Sequence, residues 1–178
     1  RNIIYINGTI ERYSAVQEQI NLLHIEDDPL EAELMQNLIL KNKEASYNIV
    51  HVESLRDALT TLKKEGFHAV LLDLNLRDVA GIDNISAIHY QNPDLPIIVL
   101  TGVEDENVAL KAIESGAQEY IVKGHSNAKM LNLAVRSSIK RKAAERELFK
   151  QANFDQITGL PNRRYFLDQL THILKKAT

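Results

Sequence analysis

The sequence predicts an α/β protein, a parallel sheet covered by helices on both faces. Two observations carry that expectation. Five short runs rich in β-branched residues recur at fairly regular intervals, and a helical pattern separates each from the next. The runs are continuously apolar rather than alternating, which marks strands buried on both faces.

The strands are expected at 21–25 (NLLHI), 47–52 (YNIVHV), 68–73 (HAVLLD), 97–100 (IIVL) and 119–122 (EYIV). After the first, Asp28 can cap a helix with Pro29 at its first position, and Leu30, Leu34 and Leu38 share one face. Ser54 caps the second helix ahead of Leu55, Ala58, Leu59 and Leu62, and Gly66 stands where a left-handed terminus would suit it. Helices follow at Asn84 to Gln91 and at Asp105 to Ser115, the latter closed by Gly116. From Ala128 to about Ala152 the pattern becomes one long helix without glycine or proline. Residues 1–20 fit no such repeat; a strand, an Asn-Gly turn and a short helix are compatible with them. They are either foreign to the native chain or the end of a preceding region.

Composition narrows the function classes. With 44% hydrophobic and 25% charged residues the 178-residue chain reads as a soluble globular protein. Cysteine is absent, which excludes disulfides and thiolate metal sites. No apolar run reaches the roughly 20 residues that span a bilayer, and no secretory leader is evident, so a cytoplasmic protein without a membrane partner is expected. A net charge of −3 argues against a nucleic-acid partner. The local basic cluster Arg136, Lys140, Arg141, Lys142 and Arg146 is interleaved with Glu145 and Glu147 and lacks aromatics, which suits a solvated helix face.

Open parallel sheets gather functional groups at the carboxyl ends of their strands. Here those ends carry Glu26, Asp27 and Asp28, then Asp73, Thr101 and Lys123. Each taken alone has a plain structural use: Asp28 as a helix cap, a lone Asp as a turn residue, Lys123 as a surface charge. Together they form a site of hard oxygen donors, a hydroxyl and an ammonium. Such a group suits Mg²⁺ and phosphate, and a carboxylate in it can serve as nucleophile to form an aspartyl phosphate.

The stretches LLHIEDDP, AVLLDLNLRDVAG, PIIVLTG and SGAQEYIVKG, in that order, resemble the receiver domain of bacterial two-component response regulators over about residues 21–126. The resemblance implies a flavodoxin-like, doubly wound five-stranded parallel sheet of order 2-1-3-4-5 with an extended C-terminal helix. It also implies Asp73 as phosphoacceptor, and Glu26, Asp27, Asp73 and the backbone carbonyl of Asn75 as ligands of Mg²⁺. Lys123 would contact the phosphoryl oxygens, and Thr101 and Tyr120 would form a switch pair. The expected partner is a sensor histidine kinase or phosphotransfer protein, with a homodimer formed on phosphorylation. Two positions depart from the family pattern. Gly124 follows the lysine where proline is usual, so no cis peptide is expected there, and Arg77 replaces a frequent proline.

Beyond the receiver, residues 127–153 read as a helical linker. Leu131, Val135, Ile139, Leu148 and Phe149 permit a coiled-coil seam, and a solvated extension of the last receiver helix is equally compatible. Residues 154–178 read as a turn punctuated by Gly159 and Pro161, then an amphipathic helix with Phe166, Leu170, Ile173 and Leu174 on one side. The run DQITGLPNRRYF resembles the opening of GGDEF domains, the diguanylate cyclase module, with Ile157 for its usual leucine. That module's signature motif does not occur in these residues, so no cyclase residue is assigned, and phosphate uptake without cyclic-di-GMP synthesis is expected. The rival readings are a non-catalytic receiver module with a degenerate GGDEF or phosphodiesterase output, and a dehalogenase-type phosphohydrolase. The latter needs a second Asp where Asn75 stands.

Overall fold

The computed structural model describes residues 3–6, 9–12, 19–41, 45–79, 81–102 and 105–176. Strands β1 (Ile3–Ile6) and β2 (Thr9–Arg12) pair antiparallel, Ile6 opposite Thr9. A second strand therefore stands where a short helix was compatible with the sequence; the Asn7-Gly8 turn and residues 13–18 lie outside the described residues.

The main sheet contains β3 (Gln19–Ile25), β4 (Ser46–Val52), β5 (Ala69–Asp73), β6 (Ile97–Thr101) and β7 (Glu119–Val122). All neighbours are parallel, in the order β4-β3-β5-β6-β7. Counted from β3 this is the doubly wound order 2-1-3-4-5, and the direction of winding reverses beside β3 and β5. The helices between strands are α1 (Pro29–Leu40), α2 (Leu55–Leu62), α3 (Asp83–Gln91) and α4 (Glu106–Glu114), and α5 (Ala128–Asn153) and α6 (Arg163–Lys176) follow β7.

Alternation along each strand divides the core in two. Leu23, Ile25, Val70, Leu72, Ile97 and Val99 face one layer, where Leu55 and Ala58 of α2, Ile85 and Ile88 of α3 and Ala112 of α4 cover them. Leu22, Leu71, Ile98 and Leu100 face the other, against Met35 and Ile39 of α1 and Leu131 and Val135 of α5. Both faces of β5 and β6 are fully buried, which explains their unbroken apolar sequence.

Local chemistry sets the helix starts. The Asp28 carboxylate accepts from the amides of Leu30 and Glu31 at 2.8 and 3.3 Å, and the Ser54 hydroxyl accepts from Asp57 N–H at 3.1 Å. Two sequence expectations need correction. The buried stripe of α1 is Ala32, Met35 and Ile39, whereas Leu30 and Leu34 are exposed and Leu38 sits at the border of the core. Two apolar rows fit this helix equally well; the row that faces the sheet is the one that leaves Glu31 turned toward Lys123. Gly66 does not adopt positive φ, because α2 has already ended at Leu62 with Lys63 as its cap. Gly116 does, at φ +107°, and so do Gly81 and Gly159.

The first half of α5 is sheet-bound. Its second half leaves the core, with Leu148 and Phe149 exposed, and polar contacts hold it to the loops entering β6 and β7. Arg141 Nη2 meets Glu119 Oε2 at 2.7 Å and Gln118 O at 3.0 Å, Gln118 Nε2 donates to Glu145 at 3.2 Å, and Arg146 lies 3.9 Å from Asp94. Much of the basic cluster thus faces acidic partners within the chain.

Between α5 and α6 the turn is built by two side chains. Asp155 accepts from the amides of Ile157 and Thr158 and from the Thr158 hydroxyl, and these bonds, that from the Thr158 amide foremost, hold its carboxyl below the usual range. Asn162 donates to Ala152 O and caps Tyr165 N–H. Phe149, Phe154 and Tyr165 close over this joint with ring centroids 5.5–6.4 Å apart.

Candidate functional site

At the carboxyl edge of the sheet the chain ends three strands within a few ångströms of one another. Asp73, the last residue of β5, is 3% exposed, and Glu26, immediately after β3, is 1% exposed. Asp27 lies half-buried at the rim. Glu26, Asp27 and Asp73 each offer a carboxylate oxygen, all within 4.8 Å of one another.

Lys123, directly after β7, reaches into this cluster. Its Nζ lies 2.6 Å from Glu26 Oε2 and 2.9 Å from Asp73 Oδ1, and it also hydrogen-bonds Glu31 of α1. Burial works against charge on Lys123, but its contacts with Glu26, Glu31 and Asp73 outweigh this and hold the ammonium above its ordinary range. Burial pushes the Glu26 carboxyl up, and the Lys123 hydrogen bond only partly offsets that. A buried ammonium among acids is the arrangement that charge neutralisation requires, since isolated buried carboxylates would be strongly disfavoured.

Of the remaining predicted residues, Asn75 touches Asp73, and Thr101 and Tyr120 are placed by their strands. Asn75 N–H donates to Asp73 Oδ2 at 2.9 Å, which sets the Asn75 peptide against the phosphoacceptor candidate. Thr101 ends β6, the strand beside β5, and is 3% exposed. Tyr120 pairs with Val99 in register and packs, partly buried, on the same core layer. Strand alternation puts Tyr120, Val99 and Thr101 on one face of the sheet. Lys123 opens a short 3-10 turn, Lys123–His125, and no cis peptide occurs among the described residues.

Three contacts went unread in the sequence. Glu31 is a third anion on Lys123, although an acid in a first helical turn looks like a dipole partner only. Arg77 pairs with Asp27, Nε to Oδ2 at 2.9 Å, from a side chain that is 80% exposed. His24 and His51 sit opposite each other in the register of β3 and β4, with ring centroids 5.6 Å apart. His24 is fully buried, and burial foremost, with His51 and Lys123 nearby, lowers its pKa to about 3. Their signal in the sequence was a histidine within each of the first two otherwise apolar runs.

The donor set fits a hard divalent cation, since three carboxylates converge. A buried carboxylate flanked by that set and by an ammonium is equipped to accept an electrophilic phosphoryl group. The model of the response regulator receiver domain matches residues 22–135, well over half of the chain. The signal receiver domain of a putative LuxO repressor protein from Vibrio parahaemolyticus superposes with a TM-score of 0.64 at 27% identity, covering 74% of this chain and 98% of that one. Transcriptional regulatory protein ZraR of Salmonella typhimurium is 28% identical over 108 residues, 61% of this chain and 24% of ZraR. Regulatory protein LuxO of Vibrio vulnificus is 34% identical over 86 residues, 48% of this chain and 19% of LuxO.

The chain belongs to the response regulator receiver domain family. Receivers of this kind are phosphorylated by histidine kinases in two-component signalling and generally bind Mg²⁺ at an acidic pocket. The match spans about a quarter or less of each of these two relatives. Among the described residues no helix is long and apolar enough to cross a membrane.

Proposed function

We propose that this chain accepts a phosphoryl group on Asp73 from a sensor histidine kinase or phosphotransfer protein. The observation that supports this most directly is the buried Asp73 carboxylate, 2.9 Å from Lys123 Nζ and grouped with Glu26 and Asp27. In the transfer an Asp73 carboxylate oxygen attacks phosphorus, the phosphorus–nitrogen bond of the donor phosphohistidine breaks, and the histidine leaves with the bonding pair. Glu26, Asp27, Asp73 and the Asn75 carbonyl would hold Mg²⁺, which when bound neutralises charge on the phosphoryl oxygens. Lys123 leaves its carboxylate partners in part to contact those oxygens. Thr101 turns its hydroxyl toward the new phosphoryl group, and Tyr120 moves further inward behind it, altering the face formed by α4 and β7.

The same reading divides the chain into an N-terminal segment (1–20), the receiver (21–126), a helical linker (127–153) and the start of a GGDEF output domain (154–178). Support for the last part is the run DQITGLPNRRYF and the uncovered apolar side of α6, where Phe166, Leu170, Ile173 and Leu174 are all exposed. Phosphorylation would favour a homodimer that brings two diguanylate cyclase domains together. Light scattering with beryllofluoride and Mg²⁺ tests that step, and an unchanged dimer affinity rejects it.

Acetyl phosphate with Mg²⁺, read by intact-protein mass spectrometry, tests the chemistry. A single phosphoryl adduct that hydroxylamine removes is expected on the wild type and none on Asp73→Asn. An adduct that persists in Asp73→Asn overturns the assignment.

A further inference from the structure

Glu26 N–H continues the ladder of β3 by donating to Val52 O at 3.1 Å. In a parallel ladder the next bond would run from Ser54 N–H to Glu26 O. Ser54, however, has left the strand to cap α2, so the Glu26 carbonyl loses its strand donor. His51 takes that place: its Nε2 lies 2.7 Å from Glu26 O. A carbonyl oxygen only accepts, so Nε2 carries the hydrogen.

The carbonyl in question belongs to the peptide that joins Glu26 to Asp27. Rotation of that peptide plane would swing both carboxylates, and both belong to the three-acid cluster. The rest of Glu26 is tied down separately, Oε2 to Lys123 at 2.6 Å and Oε1 to Asp28 N–H at 3.2 Å. The His51 ring is itself backed by His24, fully buried, with neither ring nitrogen hydrogen-bonded. His24 therefore acts as a wall rather than as a relay.

The geometry points to His51 as a positioning residue of the acidic site, which clamps the Glu26–Asp27 peptide so that both carboxylates are presented to a divalent cation together. This inference rests on the reading of that site as a Mg²⁺ and phosphoryl site. Ligand supports of this kind commonly tune metal affinity by 10- to 100-fold when removed, by about tenfold at the lower end. Geometry also predicts which replacement keeps the role: glutamine places an amide nitrogen at about the reach of Nε2, whereas phenylalanine keeps the ring against His24 and removes the donor.

The test is calorimetric titration of the whole 178-residue chain with Mg²⁺, for wild type, His51→Gln and His51→Phe, together with the Mg²⁺ dependence of labelling by acetyl phosphate. Expected are nearly equal Mg²⁺ affinities for wild type and His51→Gln, and about tenfold weaker binding for His51→Phe. At saturating Mg²⁺ the labelling rate of His51→Phe should return to near the wild-type value. If His51→Phe binds Mg²⁺ as tightly as wild type, or if His51→Gln is as weak as His51→Phe, the positioning role is wrong even where thermal midpoints shift. A wild type that binds no Mg²⁺ instead rejects the reading of the acidic site itself, and the positioning role with it.

Discussion

Asp73 and Asp155 are the same residue type, each at the end of a regular element, and the structure treats them in opposite ways. Asp73 is buried, keeps one oxygen on the Asn75 amide and the other against Lys123, and stands among other acids. Asp155 is exposed, and its partners lie within three residues along the chain: Ile157 N–H, Thr158 N–H and the Thr158 hydroxyl. One carboxylate is surrounded by residues that follow two other strands, Glu26 and Asp27 after β3 and Lys123 after β7. The other is consumed in shaping a turn. Burial and partners from other strands set Asp73 apart from the turn-forming Asp155, even though DLNLRDVAG and DQITGLPNRR look equally motif-like on the page.

The sharpest way to break that contrast is to remove the counter-charge. Lys123→Met leaves Glu26 and Asp73 buried and facing each other, and a loss of about 3–5 kcal/mol is expected in urea unfolding at pH 7 with chelator present. A loss under about 1 kcal/mol would mean that the cluster is effectively solvated, like Asp155. Next in size come two of the left-handed glycines. At Gly116 (φ +107°) an added Cβ would meet His89 Cγ at 2.7 Å, whereas at Gly159 (φ +68°) it meets nothing within 4 Å. Gly116→Ala should therefore cost about 3 kcal/mol and Gly159→Ala about 1 kcal/mol; equal costs would show that the His89 contact yields freely.

Acid should also distinguish the two regions. The unfolded chain protonates His24 near pH 6.5, but the folded protein resists until about 3. Because the unfolded state then binds the extra proton, stability is complete above 6.5 and is lost as pH falls toward 3, by about 1.4 kcal/mol per pH unit within that window. His24→Leu should flatten this slope in denaturant titrations at stepped pH, and an unchanged slope would place the acid sensitivity elsewhere. The smallest effect is expected at the joint. Asp155→Ala should loosen the turn only locally, seen as faster amide exchange at Ile157, Thr158 and Gly159 with no change in the unfolding of the receiver core.

Much of this was legible beforehand because its causes are local. Asp28 and Pro29 announce a helix start through one carboxylate and one fixed φ, and the unbroken apolar runs at 69–73 and 97–101 announce strands covered on both sides. Glu26, Asp27, Asp73, Thr101 and Lys123 were readable as a group because parallel strands deliver their carboxyl ends to one edge, whatever the loops do. Which face of α1 is buried was not legible, because Leu30, Leu34 and Leu38 repeat as regularly as Ala32, Met35 and Ile39, and periodicity alone does not say which row meets a sheet. Gly66 was misread because a glycine near a helix end signals a left-handed cap only when the helix reaches it, and α2 stops at Leu62.

By itself the sequence determined the alternation of strands and helices from residue 19 onward, the set of acids at the sheet edge and the turn at Gly159 and Pro161, since spacing, capping and side-chain type act over a few residues. Only the tertiary structure decided that Glu31 joins Lys123, that Arg77 meets Asp27, and that His51 replaces a missing ladder donor at the Glu26–Asp27 peptide. These contacts join residues brought together by the winding of the sheet, and partners of that kind exist only once the strands have paired.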